Sequence, residues 1–337
     1  MTDRSTAIAR FLADAGFAAA RRDPLPGDAS FRRYVRLHGG PEPALLMDAP
    51  PDREDVRPYI LVARHLTALG FSAPRVLAAD PELGLVLVED FGDATFTRLL
   101  AAGADERALY ELAIDALIAF HKLPADRTTA LDVPPYDDAR LLTEARLLTD
   151  WFVPAALGRP LPATAVGDYE RLWLEVFPLA RRVPDTLVLR DFHVDNLMRL
   201  DGRGGVAACG LLDFQDAVIG PVTYDLVSLL EDARRDLAPG LRAAMTERYL
   251  AAFPRWNKDD VLASAAVLSA QRNAKIVGIF TRLWKRDGKP VYLRHIPRVW
   301  RLLEDDLRHP ALASVRAWFD AHVPTALRKA PEATVGG

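Results

Sequence analysis

The sequence predicts an α+β protein with a small antiparallel β-sheet lobe followed by a larger, mainly helical lobe. Three observations predict this class. Short runs rich in aromatic and β-branched residues, separated by turns, occupy much of the first 90 residues. Apolar residues at helical spacing dominate the chain after Asp93. Within that helical part, only two short strand pairs are predicted, and polar loops follow their strands.

Composition limits the classes of protein to consider. A chain of 337 residues can hold two hydrophobic cores, and a net charge of -3 argues against nucleic-acid or membrane-surface partners. The single cysteine, Cys209, excludes a disulfide scaffold, and we expect it to be buried and structural. No apolar run approaches the roughly 20 residues that span a bilayer, and the first residues are too polar for a signal peptide. We therefore expect a cytoplasmic protein without an obligate protein partner.

The elements of the first lobe follow from local patterns. Apolar residues at Ile8, Phe11 and Leu12 predict a helix that Gly16 closes. The runs FRRYVRL and ALLM predict two strands around the turn HGGPEP. A helix is predicted over 52–70, and RVLAAD-PELG-LVLVED predicts a hairpin.

The helical lobe begins with a long amphipathic helix for which Asp105 is a plausible N-cap. The two strand pairs come from TLVLRDFHVDNLMRL and VAACGLLDFQDA, which a GRGG turn separates. We place the lobes at 1–89 and 90–330, with a hinge at about 89–93. Further helices are predicted near 137–150, 168–181, 223–233, 240–253, 259–285, 291–307 and 311–321.

The stretch LRDFHVDNLM carries the clearest chemical signal. Asp191 and Asn196 stand in a D-x-x-x-x-N spacing. Asp213 stands at the end of the second predicted strand after Asp191, in LLDF. In kinases, an Asp in this order accepts a hydroxyl proton, while the Asn and a later Asp hold Mg²⁺. Hard oxygen ligands of this kind suit Mg²⁺ that carries nucleotide phosphates. The alternative is a solvated loop and a capped strand end, but a lone carboxylate closing an apolar strand is costly without a partner.

These motifs resemble those of the aminoglycoside phosphotransferase family, which shares the protein-kinase-like fold. Within that family, the chain is similar to anomeric kinases that phosphorylate N-acetylmuramate and N-acetylglucosamine at the C1 hydroxyl. The resemblance spans residue 27 to about 300. It rests on GDASFRRY, LMDAPP, VEDFGD, LRDFHVDNLM, LLDFQDA, GPVTYDLVSLL and QRNAKIVGIF.

The resemblance implies a bilobal fold, an ATP and Mg²⁺ requirement, and a role for each matching residue. Asp191 would orient and deprotonate the sugar hydroxyl, and Asn196 and Asp213 would bind Mg²⁺. Asp225 would brace the catalytic loop, although a plain helix N-cap is an equal alternative. The first lobe would bind the nucleotide and the second the sugar. The expected nucleotide-binding residues are Gly27, Ser30, Arg32 and Arg33 in and after the phosphate loop, and Glu89 and Phe91 in the VEDF hinge.

The chain departs from the family at two positions. Leu189 replaces a structural His two residues before Asp191. More importantly, Met47 stands where a strand Lys normally grips the α and β phosphates, and residues 1–121 contain no Lys. The positive charge must then come from Arg. Arg32 and Arg33 are the candidates, because Arg binds phosphate in a bidentate manner. The alternative is that both are solvated strand residues.

The sugar-binding residues are expected within and after the catalytic loop and on the helix QRNAKIVGIF. Arg272 and Lys275 share a face of that helix with Gln271 and could meet a sugar hydroxyl or a lactyl carboxylate. A solvated helix face is the alternative for Lys275. The expected set is His193, Asp195, Gln215, Asp216 and Gln271.

Three functions remain open from the sequence. The first is an ATP-dependent anomeric kinase of cell-wall sugar recycling. The second is another small-molecule kinase of the same fold, acting on an aminoglycoside, choline or homoserine, because Asp195 and Asp216 would allow a cationic substrate. The third is a scaffold that binds nucleotide without turnover, which the missing strand Lys suggests and the retained Asp191, Asn196 and Asp213 argue against.

Overall fold

The structure is a computed structural model that describes residues 4–26 and 31–332, so the predicted phosphate-loop residues Gly27 and Ser30 lie outside the described residues. The chain forms two compact units. The first comprises Met1–Phe120, Ala130–Val133 and Val194–Ala217. The second comprises His121–Thr129, Pro134–His193 and Val218–Gly337.

A five-stranded antiparallel sheet forms the framework of the first unit. Its strands lie in the spatial order β1 (Arg21–Pro24), β2 (Arg33–His38), β3 (Ala44–Asp48), β5 (Leu85–Glu89) and β4 (Val76–Asp80). One face packs against helix α1 (Arg4–Asp14), where Leu12 meets Leu37, Leu46 and Leu87 in a buried cluster. The sequence did not predict β1, because all four of its residues are exposed and show no apolar alternation.

Helix α2 (Arg57–Ala68) is shorter than the predicted span of 52–70. Its first turn contains Pro58, which has no backbone N–H and therefore favours a helix start rather than a helix interior. Gly70 follows the helix with φ +89°, a left-handed conformation that glycine adopts without strain. Tyr59 on this helix stacks on Phe214 with ring centroids 5.0 Å apart.

A two-stranded hairpin completes the first unit, together with α3 (Phe96–Ala101) and most of α4 (Glu106–His121). Strands β7 (Leu197–Arg199) and β8 (Cys209–Leu211) pair antiparallel, with Leu197 opposite Leu211. Cys209 is 1% exposed and burial raises the pKa of its thiol, which confirms a buried structural cysteine. The predicted cap at Asp105 is also confirmed, because its Oδ1 accepts the Ala108 N–H at 3.2 Å.

The second unit is mainly helical and packs around α11 (Lys258–Asp287), a helix of 30 residues. Asn257 caps its start, and Gly288 ends it with φ +65°. A short antiparallel pair, β6 (Asp185–Val188) and β9 (Val218–Pro221), accompanies the helices. The remaining helices are α5 (Ala125–Thr128), α6 (Asp138–Leu147), a π-helical segment Leu148–Phe152, α7 (Val153–Leu157), α8 (Ala163–Ala180), α9 (Thr223–Leu230), α10 (Leu241–Ala251), α12 (Ile296–Asp306) and α13 (Ala313–His322).

Close packing of α11 depends on Gly278. A Cβ built on this residue would lie 2.2 Å from the Leu147 carbonyl carbon, so only glycine lets α11 approach the end of α6. The predicted helix over 291–307 is wrong in its first part, because Pro290–His295 forms a 3₁₀ helix before α12 begins. Within residues 4–26 and 31–332, no helix is both long and apolar enough to cross a bilayer. The predicted α+β class is confirmed.

Candidate active site

Asp225 supports the backbone of the predicted catalytic loop. Its carboxylate accepts the N–H groups of Leu189 at 2.7 Å and Arg190 at 2.9 Å. Arg190 has φ +71°, a strained conformation for a residue with a side chain, and its carbonyl accepts a 3.0 Å bond from Ser228. The expected bracing role of Asp225 is therefore confirmed, and it holds the two residues before Asp191 in place.

The Asp225 carboxyl group is unusual in its protonation. Burial, the largest effect, raises its pKa to about 7, although the two backbone N–H groups act in the opposite direction. This value also includes two smaller effects, since the nearby Asp191 raises the pKa and Arg272 lowers it. A carboxylic acid that changes charge near neutral pH thus lies directly beneath the loop.

Asp191 lies among cationic side chains. Burial alone would raise the pKa of its carboxyl group, but Lys275, His193, Arg272 and Arg190 together bring it below its ordinary value. Lys275 and Arg272 come from α11, and Arg190 comes from the loop itself. Asp191 therefore remains ionised and able to accept a proton at neutral pH.

Glu144 on α6 connects the cations around Asp191. It forms ion pairs with Arg190 and, at 3.2 Å, with Lys275 Nζ, and it accepts a hydrogen bond from Tyr136. Because the three charged side chains are 12–15% exposed, solvent screens these pairs weakly. Sequence reasoning missed Glu144, since nothing in its surroundings distinguishes it from an ordinary helix surface residue.

Gln271 and His193 occupy buried positions in the second unit. Gln271 is 0% exposed, and its Nε2 donates to the Leu141 carbonyl at 2.9 Å and to Glu144 Oε2 at 3.4 Å. Its burial indicates support of Glu144, and direct sugar contact by Gln271 remains only a prediction. His193 is 6% exposed, burial lowers its pKa, and its backbone N–H donates to the Asp191 carbonyl at 3.1 Å.

The two predicted metal ligands lie together in the first unit. The Asn196 carbonyl accepts the Leu212 N–H at 2.9 Å, which continues the β7–β8 pairing and places Asn196 across from the residue before Asp213. Asp213 has φ +56°, a strained conformation that is typical of functional sites. Gln215 Nε2 donates to Asp213 Oδ1 at 3.0 Å. Asp195 accepts a hydrogen bond from Thr97, and Asp216 is exposed.

These residues fit a magnesium ion that also binds phosphate. Asp213 supplies a carboxylate and Asn196 an amide oxygen, and both are hard ligands that Mg²⁺ accepts. Among the described residues there is no cluster of three or more His, Cys, Asp or Glu side chains that could hold a metal. A pair of protein ligands is nonetheless typical of Mg²⁺, which commonly completes its shell with water and substrate phosphates.

Arg32 and Arg33 differ in their surroundings. Arg32 Nε lies 2.9 Å from Glu54 Oε2, and its Nη2 lies 3.4 Å from Asp213 Oδ1. Arg33 is exposed at the start of β2. Sequence reasoning missed Glu54, which precedes α2 in an unremarkable acidic stretch.

The VEDF segment, Val88 to Phe91, comprises the last two residues of β5 and the two residues that follow it. The backbone N–H groups of Glu89 and Asp90 already donate to the carbonyls of Arg75 and Pro43, at 3.0 and 3.1 Å. The Glu89 side chain pairs with Arg203 at 2.6 Å, and the Arg203 guanidinium lies 5.0 Å from the centroid of the Phe91 ring. These bonds occupy the backbone N–H groups of Glu89 and Asp90 within the predicted VEDF hinge.

The fold and these side chains define an enzyme of the phosphotransferase class. A family model described as "Phosphotransferase enzyme family" matches residues 22–258, and the chain belongs to this family. Among solved structures, the GDP complex of aminoglycoside 2′-phosphotransferase-IIIa matches 90% of this chain and 98% of its own, with a TM-score of 0.61 at 16% identity. ADP-bound aminoglycoside phosphotransferase APH(2″)-Ib matches 90% and 97%, with a TM-score of 0.59 at 14% identity. The predicted protein-kinase-like fold is thereby confirmed.

Curated relatives are more similar in sequence. The N-acetylmuramate/N-acetylglucosamine kinase of Caulobacter vibrioides is 39% identical over 97% of this chain and 99% of its own length. The protein of the same name from Pseudomonas aeruginosa is 39% identical over 87% of this chain and 86% of its own. The predicted resemblance to this subgroup of the family is confirmed.

Proposed function

We propose that this protein is an ATP-dependent kinase that phosphorylates the C1 hydroxyl of N-acetylmuramate and N-acetylglucosamine. It would act in the cytoplasm, in the recycling of cell-wall sugars. Family membership and the names of the curated relatives support the phosphoryl-transfer reaction and the substrate class. The observation that carries the choice of substrate is the cationic environment of Asp191.

The cationic environment opposes a cationic substrate. Lys275, Arg272 and Arg190 all act on Asp191, and Glu144 is the carboxylate that pairs with two of them. An aminoglycoside or choline carries positive charge and would be repelled by these side chains. An N-acetylated sugar is neutral, and the lactyl group of N-acetylmuramate adds a carboxylate that such a site would attract.

Asp191 would act as the general base. Its lowered pKa keeps the carboxylate available, and a hemiacetal hydroxyl gives up its proton more readily than an ordinary alcohol. The hydrogen bonds from Leu189 and Arg190 to Asp225 would fix the loop, so that Asp191 meets the hydroxyl in a constant orientation.

Asn196 and Asp213 would hold Mg²⁺, which when bound neutralises charge on the ATP phosphates. Residues 1–89 would bind the nucleotide, and the VEDF segment at about 89–93 would be the hinge before the catalytic and sugar-binding lobe of 90–330. Because the N–H groups of Glu89 and Asp90 are occupied, the adenine edge would depend on other backbone groups of this segment, such as those of Phe91. His193, Asp195, Gln215 and Asp216 remain proposed sugar-binding residues.

The proposal is tested by ADP release with Mg-ATP and either sugar, run beside the 1-O-methyl glycoside of each sugar, kanamycin and choline. Turnover of the free sugars but not of the blocked glycosides would establish phosphorylation at C1. Turnover of kanamycin or choline alone would overturn the substrate assignment. ATP binding without turnover of any acceptor would favour a scaffold instead.

A further inference from the structure

The first unit lacks the cation that a strand lysine would supply. Met47 in β3 occupies the corresponding position, and it is 0% exposed. Residues 1–121 contain no Lys, so another side chain of this sheet must face the nucleotide phosphates. Arg32 and Arg33 are adjacent in sequence, and the alternation of side chains along a strand sends neighbouring residues to opposite faces of a sheet.

The register of β2 and β3 determines which face of the sheet Arg33 occupies. Val35 and Leu37 of β2 pack into the cluster that also contains Leu12 of α1, so Arg33 shares the face of the sheet that covers α1. Tyr34 is directly opposite Met47, and opposed residues in an antiparallel pair point to the same face. Arg32 immediately precedes β2, and continuing the alternation of that strand by one residue assigns Arg32 to the face of Tyr34 and Met47.

The contacts of Arg32 agree with this placement. Its Nε lies in an ion pair 2.9 Å from Glu54 Oε2, and its Nη2 lies 3.4 Å from Asp213 Oδ1, the proposed metal ligand. The Arg32 side chain is 12% exposed and that of Glu54 is 22% exposed, so the pair is only weakly screened by solvent. Glu54 Oε1 also accepts the Phe31 N–H at 3.3 Å, which connects the same carboxylate to the backbone beside Arg32.

We propose that Arg32 replaces the strand lysine as the cation for the nucleotide phosphates, and that Glu54 is the positioning residue that holds it. This inference rests on the proposed use of ATP and Mg²⁺. A guanidinium carries several N–H groups, so Arg32 can keep its ion pair with Glu54 while its Nη groups bind phosphate. Glu54 thereby takes the part that a helix glutamate plays for the strand lysine in protein kinases.

The test measures nucleotide binding directly, by titration calorimetry of Mg-ADP and Mg-ATP without any sugar. We expect Arg32→Met to weaken nucleotide binding by about 10- to 100-fold, because a charge-assisted bond to phosphate is lost. The matched control Arg33→Met should change the dissociation constant by less than about threefold, because Arg33 lies on the other face. Arg32→Lys should retain more affinity than Arg32→Met, since it keeps the charge.

Glu54→Gln separates positioning from direct binding. We expect Glu54→Gln to weaken nucleotide binding less than Arg32→Met does. The double variant should bind no more weakly than Arg32→Met alone, since both changes act through one guanidinium.

Equal affinity of Arg32→Met and the wild type, or equal losses in the Arg32 and Arg33 variants, would overturn the inference. Thermal unfolding of each variant verifies folding, and Arg32→Lys and Glu54→Gln provide the comparison should Arg32→Met unfold. Failure to phosphorylate the two sugars would count against the proposed function alone, because nucleotide affinity is measured without them.

Discussion

Asp225→Asn gives the most direct test of how the proposed catalytic loop is supported. The wild-type carboxyl is 2% exposed and accepts two backbone N–H groups. The amide has one acceptor oxygen, so one of the two N–H groups would face the side-chain NH₂ instead. An unsatisfied buried donor costs about 1–3 kcal/mol, and at low pH the variant should be less stable than the wild type by this amount.

The difference in stability should change with pH. Burial raises the pKa of Asp225 from 3.8 to about 7 in the folded state. The contribution of Asp225 to stability is therefore fully present below its unfolded-state pKa and is lost as pH rises through its folded-state pKa. One pKa unit corresponds to about 1.4 kcal/mol, and the wild type should therefore lose roughly 3 kcal/mol relative to Asp225→Asn between about pH 4.5 and 8. The free energies of unfolding of the two proteins should therefore become equal near neutral pH, or the variant should become the more stable one.

Urea unfolding of both proteins at half-unit pH intervals measures this difference. Taking the difference between wild type and variant removes the contributions of other titrating groups that the two proteins share. Asp168→Asn is the control, because Asp168 is 56% exposed on α8 and forms a surface ion pair with Arg171. A wild-type-minus-Asp225→Asn difference that stays constant from pH 4.5 to 8 would refute the argument that Asp225 is held as a buried acid.

Three further changes test the site and its framework. Asp191→Asn should reduce kcat about 10²- to 10⁴-fold while nucleotide affinity, measured by calorimetry, stays within threefold, because only the base is removed; unchanged turnover would exclude Asp191 as the base. Lys275→Gln should raise the pKa of Asp191, so the acidic limb of the kcat/KM profile should move to higher pH, and a profile with an unmoved limb would contradict this role. Gly278→Ala should lower the free energy of unfolding by about 1–3 kcal/mol through overpacking against Leu147, whereas an increase, as at an exposed helical glycine, would contradict the close approach of α11.

The proposed catalytic loop shows how much of a site can be predicted from local sequence. The spacing of Asp191, Asn196 and Asp213 is a covalent property of the chain, and the strands around them could be recognised from short apolar runs. The bracing role of Asp225 was predicted from the resemblance, with a plain N-cap as its equal alternative. Its two hydrogen bonds to residues more than 30 positions away decide between them.

Boundaries were predicted less well than the existence of elements. Strand β1 has no apolar residue to mark it, and its pairing with β2 is a tertiary property. Pro58 and Pro297 lie inside the predicted segments 52–70 and 291–307, and each stands in the first turn of the observed helix, α2 or α12. Local periodicity is insensitive to a missing backbone donor, which is why both helices were predicted too long.

By itself, the sequence determined the class of elements, their order and the chemical types of residue in the catalytic loop, because these depend on local spacing. Only the tertiary structure decided that Glu144 joins Arg190 and Lys275, that Gln271 is buried behind them, and that Arg32 rather than Arg33 meets Glu54. Each of these contacts joins residues more than 20 positions apart and depends on strand register or helix packing. Neither propensity nor periodicity contains that information, because both describe neighbours along the chain rather than neighbours in space.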